Sequence, residues 1–163
     1  LTGLWNESTV RGPAWRLGDM GRRLERAQVL LDLSQPAFQG HVDDLDPVDA
    51  SATEVMLASN ESLVAYRRRH RSDVERDAAV ALLLRDPSNP RSLAACIDAL
   101  ARHAAEGDWE AGVVLADTAR DALVLDLDEL PPTVQAAVDE YGRALVARWF
   151  AAPVSPMMAV GRS

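Results

Sequence analysis

The run Gly21-Arg22-Arg23-Leu24-Glu25-Arg26 sets one carboxylate among three guanidiniums within two helical turns. Arg22 and Glu25 are three residues apart and share a helix face, and Asp19 reaches Arg22 or Arg23 from the preceding turn. Trp15, Gly18, Arg22, Glu25 and Val29 line up as one face beside an apolar stripe. Three roles fit. Glu25 could act as a general acid or base while Arg22, Arg26 and Arg91 hold an anionic peptide or phosphate intermediate. A carboxylate among cations is a poor base at neutral pH unless burial restores its basicity, which argues against that role. Alternatively, the forked cations and the carboxylate recognise a partner's ionic groups. Lastly, the motif could be structural: in a buried network of Glu25 and the arginines, losing one partner costs about 3–5 kcal/mol, whereas exposed pairs at this spacing stabilise a helix by only about 0.2–0.5 kcal/mol each. Gly18 and Gly21 each cost about 1 kcal/mol relative to alanine, so their presence predicts close approach by another helix or a bound group.

Other candidates carry less chemistry. Tyr66 with Arg67, Arg68, Arg69 and Arg71 could receive phosphate or carboxylate, but cations also complement the dipole at a helix C-terminus. Asn89-Pro90-Arg91-Ser92 reads as a helix start whose free amides could also meet an anion. His41, His70 and His103 are too scattered for an i, i+4 metal-ligand pair and no cysteines join them, so no metal is expected. Cys96 sits among Leu93, Ile97 and Leu100 and reads as a small buried hydrophobe. No glycine-rich loop stands between a strand and a helix, so no nucleotide cofactor is expected, and any ATP would be bound by another chain.

These residues need helices to position them. No stretch alternates strictly between apolar and polar residues, whereas several repeat apolar residues at three and four. An all-α fold follows, an antiparallel helical bundle of about six helices. Leu17, Met20, Leu24, Ala27 and Leu31 predict a helix from Pro13 to Leu33, ended by Gln35-Pro36. Leu4, Trp5 and Val10 predict a short element docking upstream. Asp46-Pro47 starts a second helix that runs to His70. Ser72-Asp73-Val74-Glu75 reads as a capping box for a short third, stopped by Asp86-Pro87. A fourth starts at Asn89-Pro90 and ends at Gly107, a fifth runs from Asp108 to about Asp126, and Pro131-Pro132 opens the last, through Val134, Val138, Tyr141, Leu145 and Trp149. The bundle is expected over 1–152 and a flexible tail over 153–163.

Composition limits the function classes. The chain has 163 residues, 17 basic against 25 acidic, a net charge of −8, and one cysteine, which rules out an internal disulfide framework. All the basic residues are arginine, a planar fork that stays charged at neutral pH. A pI near 4.8 disfavours nucleic acid, and no apolar run approaches the roughly 20 residues needed to span a bilayer. The chain begins at Leu1 without a methionine or a basic-then-apolar leader, which predicts a processed chain or a piece of something longer.

The stretch ESTVRGPAWRLGDMGRRLERA, followed by SLVAYRRRHR and LLLRDPSNPRSLA, resembles the alpha-E superfamily, predicted helical domains named for a Glu-Arg motif. The resemblance spans Glu7 to Ala95. By it, Gly21, Arg22, Glu25 and Arg26 form the motif, Arg11 and Trp15 match its approach, Tyr66 to Arg69 match an arginine run, and Asn89, Pro90, Arg91 and Ser92 match a short turn. By the resemblance, family members run to about twice this length, above the roughly 50–250 residues typical of one domain, and begin with a related motif helix that this chain lacks. The chain therefore resembles the C-terminal half, and Glu25 or Arg26 would face a missing N-terminal half or a second copy.

The resemblance implies a noncatalytic accessory or scaffold module of a peptide- or amide-ligation system. Its partners would be a circularly permuted ATP-grasp ligase and a transglutaminase-like protease, in the cytoplasm. This is an inference from association, weaker than one from a site. Convergence of Arg22, Glu25, Arg26, Tyr66, Arg69 and Arg91 on one cleft would mark a ligand or docking site, and dispersal would mark a structural role.

Overall fold

The computed structural model describes residues 12–39, 47–71, 73–125 and 130–150. The expected upstream element, Arg11, the Asp46 and Ser72 caps, and the tail lie outside the described residues. Within them the fold is all-α, with seven α-helices and one π-helical turn: α1 Pro13–Gln39, α2 Pro47–Ser59, α3 Leu63–His70, α4 Arg76–Val80 running into the π-turn Ala81–Arg85, α5 Leu93–Glu106, α6 Glu110–Ala122 and α7 Leu130–Trp149.

α1, α5, α6 and α7 form a closed ring in which α1 packs on α5, α5 on α6, α6 on α7 and α7 back on α1. Contacts between Arg16 and Glu106 and between Asp19 and His103 show that α1 and α5 run antiparallel. Asp98 on α5 meets Arg120 on α6 in the same sense. The stripe read on α1 is the buried one, with Met20, Leu24, Ala27 and Leu31 in the core beside Ile97, Leu100, Val138 and Tyr141. Tyr141 Oη donates to the Leu100 carbonyl at 3.1 Å, so the ring's largest polar tip is satisfied inside the core. α2, α3, α4 and the π-turn close one end, the π-turn against α5 and α4 against α2.

Several boundaries differ from those expected. α1 continues through Pro36, because a proline in the last turn deletes only one rung of the ladder. The single helix expected up to His70 breaks after Ser59. There Ser62 N–H bonds the Leu57 carbonyl at 2.8 Å and Glu61 N–H bonds the Ala58 carbonyl at 2.9 Å, a Schellman closure. Glu61 takes the left-handed position, φ 50°, where glycine is usual. α5 ends the same way one residue beyond the glycine that signalled it, with Asp108 at φ 51° and Trp109 N–H on the Ala104 carbonyl. α5 begins at Leu93 instead of Pro90, because Ser92 is the cap: its Oγ accepts from Ala95 N–H at 3.0 Å.

Candidate functional site: the Glu-Arg cleft and an adjoining Asp-His pocket

α1 presents its polar residues to two different places. Arg22, Glu25, Arg26 and Val29 line an open cleft of about 310 Å³, closed on the other side by Ser59, Asn60 and Glu61 from the α2–α3 turn and by Arg91. The turn owes its shape to buried hydrogen bonds. Asn89 is 6% exposed; its amide donates to Ser62 Oγ at 3.2 Å and to the Leu82 carbonyl at 3.1 Å, and its Oδ1 accepts from Arg91 N–H at 3.1 Å. Ser92 Oγ donates to the Asp86 carbonyl at 2.6 Å while capping α5. Asn89 and Ser92 are therefore parts of the scaffold, and Arg91 is the residue they deliver. Arg91 forms an ion pair with Glu61 on the wall of the cleft that faces α1.

Of the six residues whose convergence was in question, Arg22, Glu25, Arg26 and Arg91 meet at this cleft and Tyr66 and Arg69 do not. Tyr66 is fully buried; its Oη accepts from Glu75 N–H at 2.9 Å and stacks its ring on His70 at 4.5 Å, so it is a core residue and not a ligand contact. Arg67 pairs with Glu54 and Arg69 with Asp86, each on its own patch, and Arg68 is exposed. The arginine run thus spreads over three directions, as a helix requires of consecutive residues.

Arg22 does not pair with Glu25. Its guanidinium donates to Asp19 Oδ1 at 3.0 Å, and Arg23 Nε approaches Asp19 Oδ2 at 3.4 Å. Glu25 and Arg26 are exposed and hold no ion pair among the described residues. The ionic face of α1 is split: its first turns are engaged with neighbours and its later ones open to water. Gly21 is exposed with open space where a side chain would stand, so no element among the described residues approaches it.

The second place was not legible in advance. Trp15, Arg16, Asp19, Arg23, Arg102, His103 and Glu106 line a pocket of about 280 Å³ between α1 and α5. Asp19 and His103 are 8% and 4% exposed, and His103 Nε2 lies 2.8 Å from Asp19 Oδ2. Burial alone would raise the Asp19 pKa, but the hydrogen bond from His103, the charge of Arg23 and the hydrogen bond from Arg22 together hold it below its ordinary value. Trp15 belongs to this pocket and not to the Glu-Arg cleft, its ring edge-on to His103 at 5.7 Å. The residues are 84 positions apart in sequence, so only an Asp-to-His spacing across packed helices, not a local motif, could have signalled them.

Cys96 is buried, and desolvation pushes its thiol pKa up, as suits an inert core residue. Among the described residues no group of three or more His, Cys, Asp or Glu side chains is placed to hold a metal ion, and no helix is long and apolar enough to cross a membrane.

The chain is similar to uncharacterized proteins of Mycobacterium bovis and of two strains of Mycobacterium tuberculosis, each 34% identical over 93 residues. That alignment covers 57% of this chain but 10% of each relative, so the chain spans about one-tenth of their length. No solved structure matches. Glu-Arg occurs twice in the sequence, at 25–26 on the motif helix and at 75–76 at the start of α4. Residues 1–150 match the model of a family described as a predicted alpha-helical domain with a conserved ER motif, and the chain belongs to that family, Alpha-E.

Proposed function

We propose that this chain is a noncatalytic accessory or scaffold module of an ATP-grasp-linked peptide- or amide-ligation system in the cytoplasm, and that it docks the ATP-grasp protein through the Glu-Arg cleft. The observation that carries the reading is the state of Glu25 and Arg26. Both are exposed at the mouth of a cleft whose other cations, Arg22 and Arg91, already have carboxylate partners within the chain. An exposed carboxylate and guanidinium add little to the stability of the helix, yet they are available to a partner's ionic groups. Glu25 stands in water, without the burial that an acid/base role would need, so the enzyme reading gains no support from its surroundings.

Affinity purification of the chain from native cells tests the reading. Recovery of an ATP-grasp protein with the native chain, and its loss with Glu25→Ala or Arg26→Ala, is the expected result. Failure to recover any ATP-grasp protein, together with unchanged binding by both variants, overturns it. Turnover of an acyl-phosphate or peptide by the purified chain alone would favour the enzyme reading instead.

A further inference from the structure

We propose that the pocket between α1 and α5 is a binding site for a small oxyanion, with the His103 ring and Arg102 as its direct contacts. This is independent of the docking reading. The carboxylate of Asp19 can only accept, so the hydrogen bond at Nε2 fixes a proton on that nitrogen and turns Nδ1 into the working end of the ring. Nδ1 is buried and has no hydrogen-bond partner among the described residues, and the Glu106 carboxylate oxygen Oε2 stands at 3.6 Å, beyond bonding distance. A buried polar atom left this way costs free energy that a ligand atom would recover.

The walls suit an anion. Arg16, Arg23 and Arg102 face the pocket against two carboxylates, Asp19 and Glu106. Asp19 is committed to His103, Arg22 and Arg23, and Glu106 lies 3.5 Å from Arg16 Nε. Arg102 is exposed at the rim with no ion pair among the described residues, so its fork is available to a carboxylate or phosphate in a bidentate contact. One proton lies between Nδ1 and the ligand in either form of the ring: an imidazolium donates it to the oxyanion, and a neutral ring accepts it from a protonated one. Carboxylate and phosphate monoester share this chemistry, and Trp15 offers a ring beside His103 for whatever apolar part the ligand carries.

The test is a titration of the full chain with inorganic phosphate and, separately, with acetate at constant ionic strength, followed by the ring 15N signals of His103 and by calorimetry. Saturable binding that shifts the Nδ1 signal is expected. It should weaken by about tenfold to a hundredfold in Arg102→Gln, the loss expected for one charged hydrogen-bonding partner, and hold in Arg143→Gln, whose side chain pairs with Glu140 elsewhere on α7. Glu106→Gln, which removes the nearest competing carboxylate, should tighten it. Saturation by phosphate alone identifies a phosphate-bearing ligand, saturation by acetate alone a carboxylate, and saturation by both a site that takes either oxyanion. His103→Gln should abolish binding. Because His103 is buried and that variant could unfold, the rim variant Arg102→Gln carries the test by itself. No saturable change with either anion, or equal affinity in the native chain and Arg102→Gln, overturns the proposal.

Discussion

Arg22 lines the Glu-Arg cleft while its guanidinium donates to Asp19 Oδ1 at 3.0 Å, the carboxylate that holds His103 on the far side of α1. One side chain therefore touches both candidate sites. Arg22→Ala should weaken partner docking and also loosen His103, visible as broadening of its ring signals, whereas Arg26→Ala should leave that ring unchanged.

Asp19→Asn should lower stability by about 3 kcal/mol, the lower part of the range for breaking a buried ion pair, because Arg22 and Arg23 still reach water. The pH dependence has a definite sign. The folded-state pKa of Asp19 lies below the ordinary value of 3.8, so its contribution is complete above that value and is lost as pH falls through the lower folded pKa. Acid unfolding of the native chain should therefore be steeper than that of Asp19→Asn in this window. Parallel curves from chemical denaturation at each pH would contradict the assignment.

Asn89→Ala should cost about 2 kcal/mol, since it leaves the Leu82 carbonyl and Arg91 N–H without their buried partner. The same change releases Arg91 from the cleft and should weaken docking. Ser92→Ala removes both the cap of α5 and the hydrogen bond to the Asp86 carbonyl and should cost about 1–2 kcal/mol. Urea denaturation of the two variants, read beside binding, separates the turn's structural share from its presentation of Arg91.

The two glycine substitutions should move in opposite directions. A side chain at Gly21 would meet open space, so Gly21→Ala should stabilise by about 0.5–1 kcal/mol through helix propensity. A side chain at Gly112 would overlap the ring of Trp109, itself wedged against Tyr141 and Trp149, so Gly112→Ala should destabilise by about 1–3 kcal/mol. Thermal melts read both signs.

The bundle was legible because its signal is periodic and local: Met20, Leu24, Ala27 and Leu31 recur at the helical spacing and are buried as that spacing requires. The break after Ser59 was not, since the closing position is filled by Glu61 where a glycine would have announced it. In the cleft, Arg22, Glu25 and Arg26 came from one helix and Arg91 from one turn, so local reading found them. Glu61 and the Asp19–His103 pair were missed because their meaning depends on which helices pack, and tertiary contact leaves no mark on spacing along the chain. Tyr66 could be read either way from the sequence, since its aromatic ring suits a binding face as well as the core it fills.

Cys96 should react with a thiol reagent only through opening of the bundle, because it is buried and its thiolate is disfavoured by desolvation. Its labelling rate should rise with urea in step with unfolding and should be faster in Asp19→Asn. Rapid labelling of the native chain in water would contradict the packing of α5.

The decisive comparison is the affinity of the double variant Glu25→Ala/Arg26→Ala for an ATP-grasp protein from the same cells, measured beside its melting temperature. A native melting temperature with binding reduced at least about tenfold, equivalent to 1.4 kcal/mol, is the predicted result. Native affinity, or a loss of binding explained by a collapse of stability of about 3–5 kcal/mol as for a buried network, would contradict it.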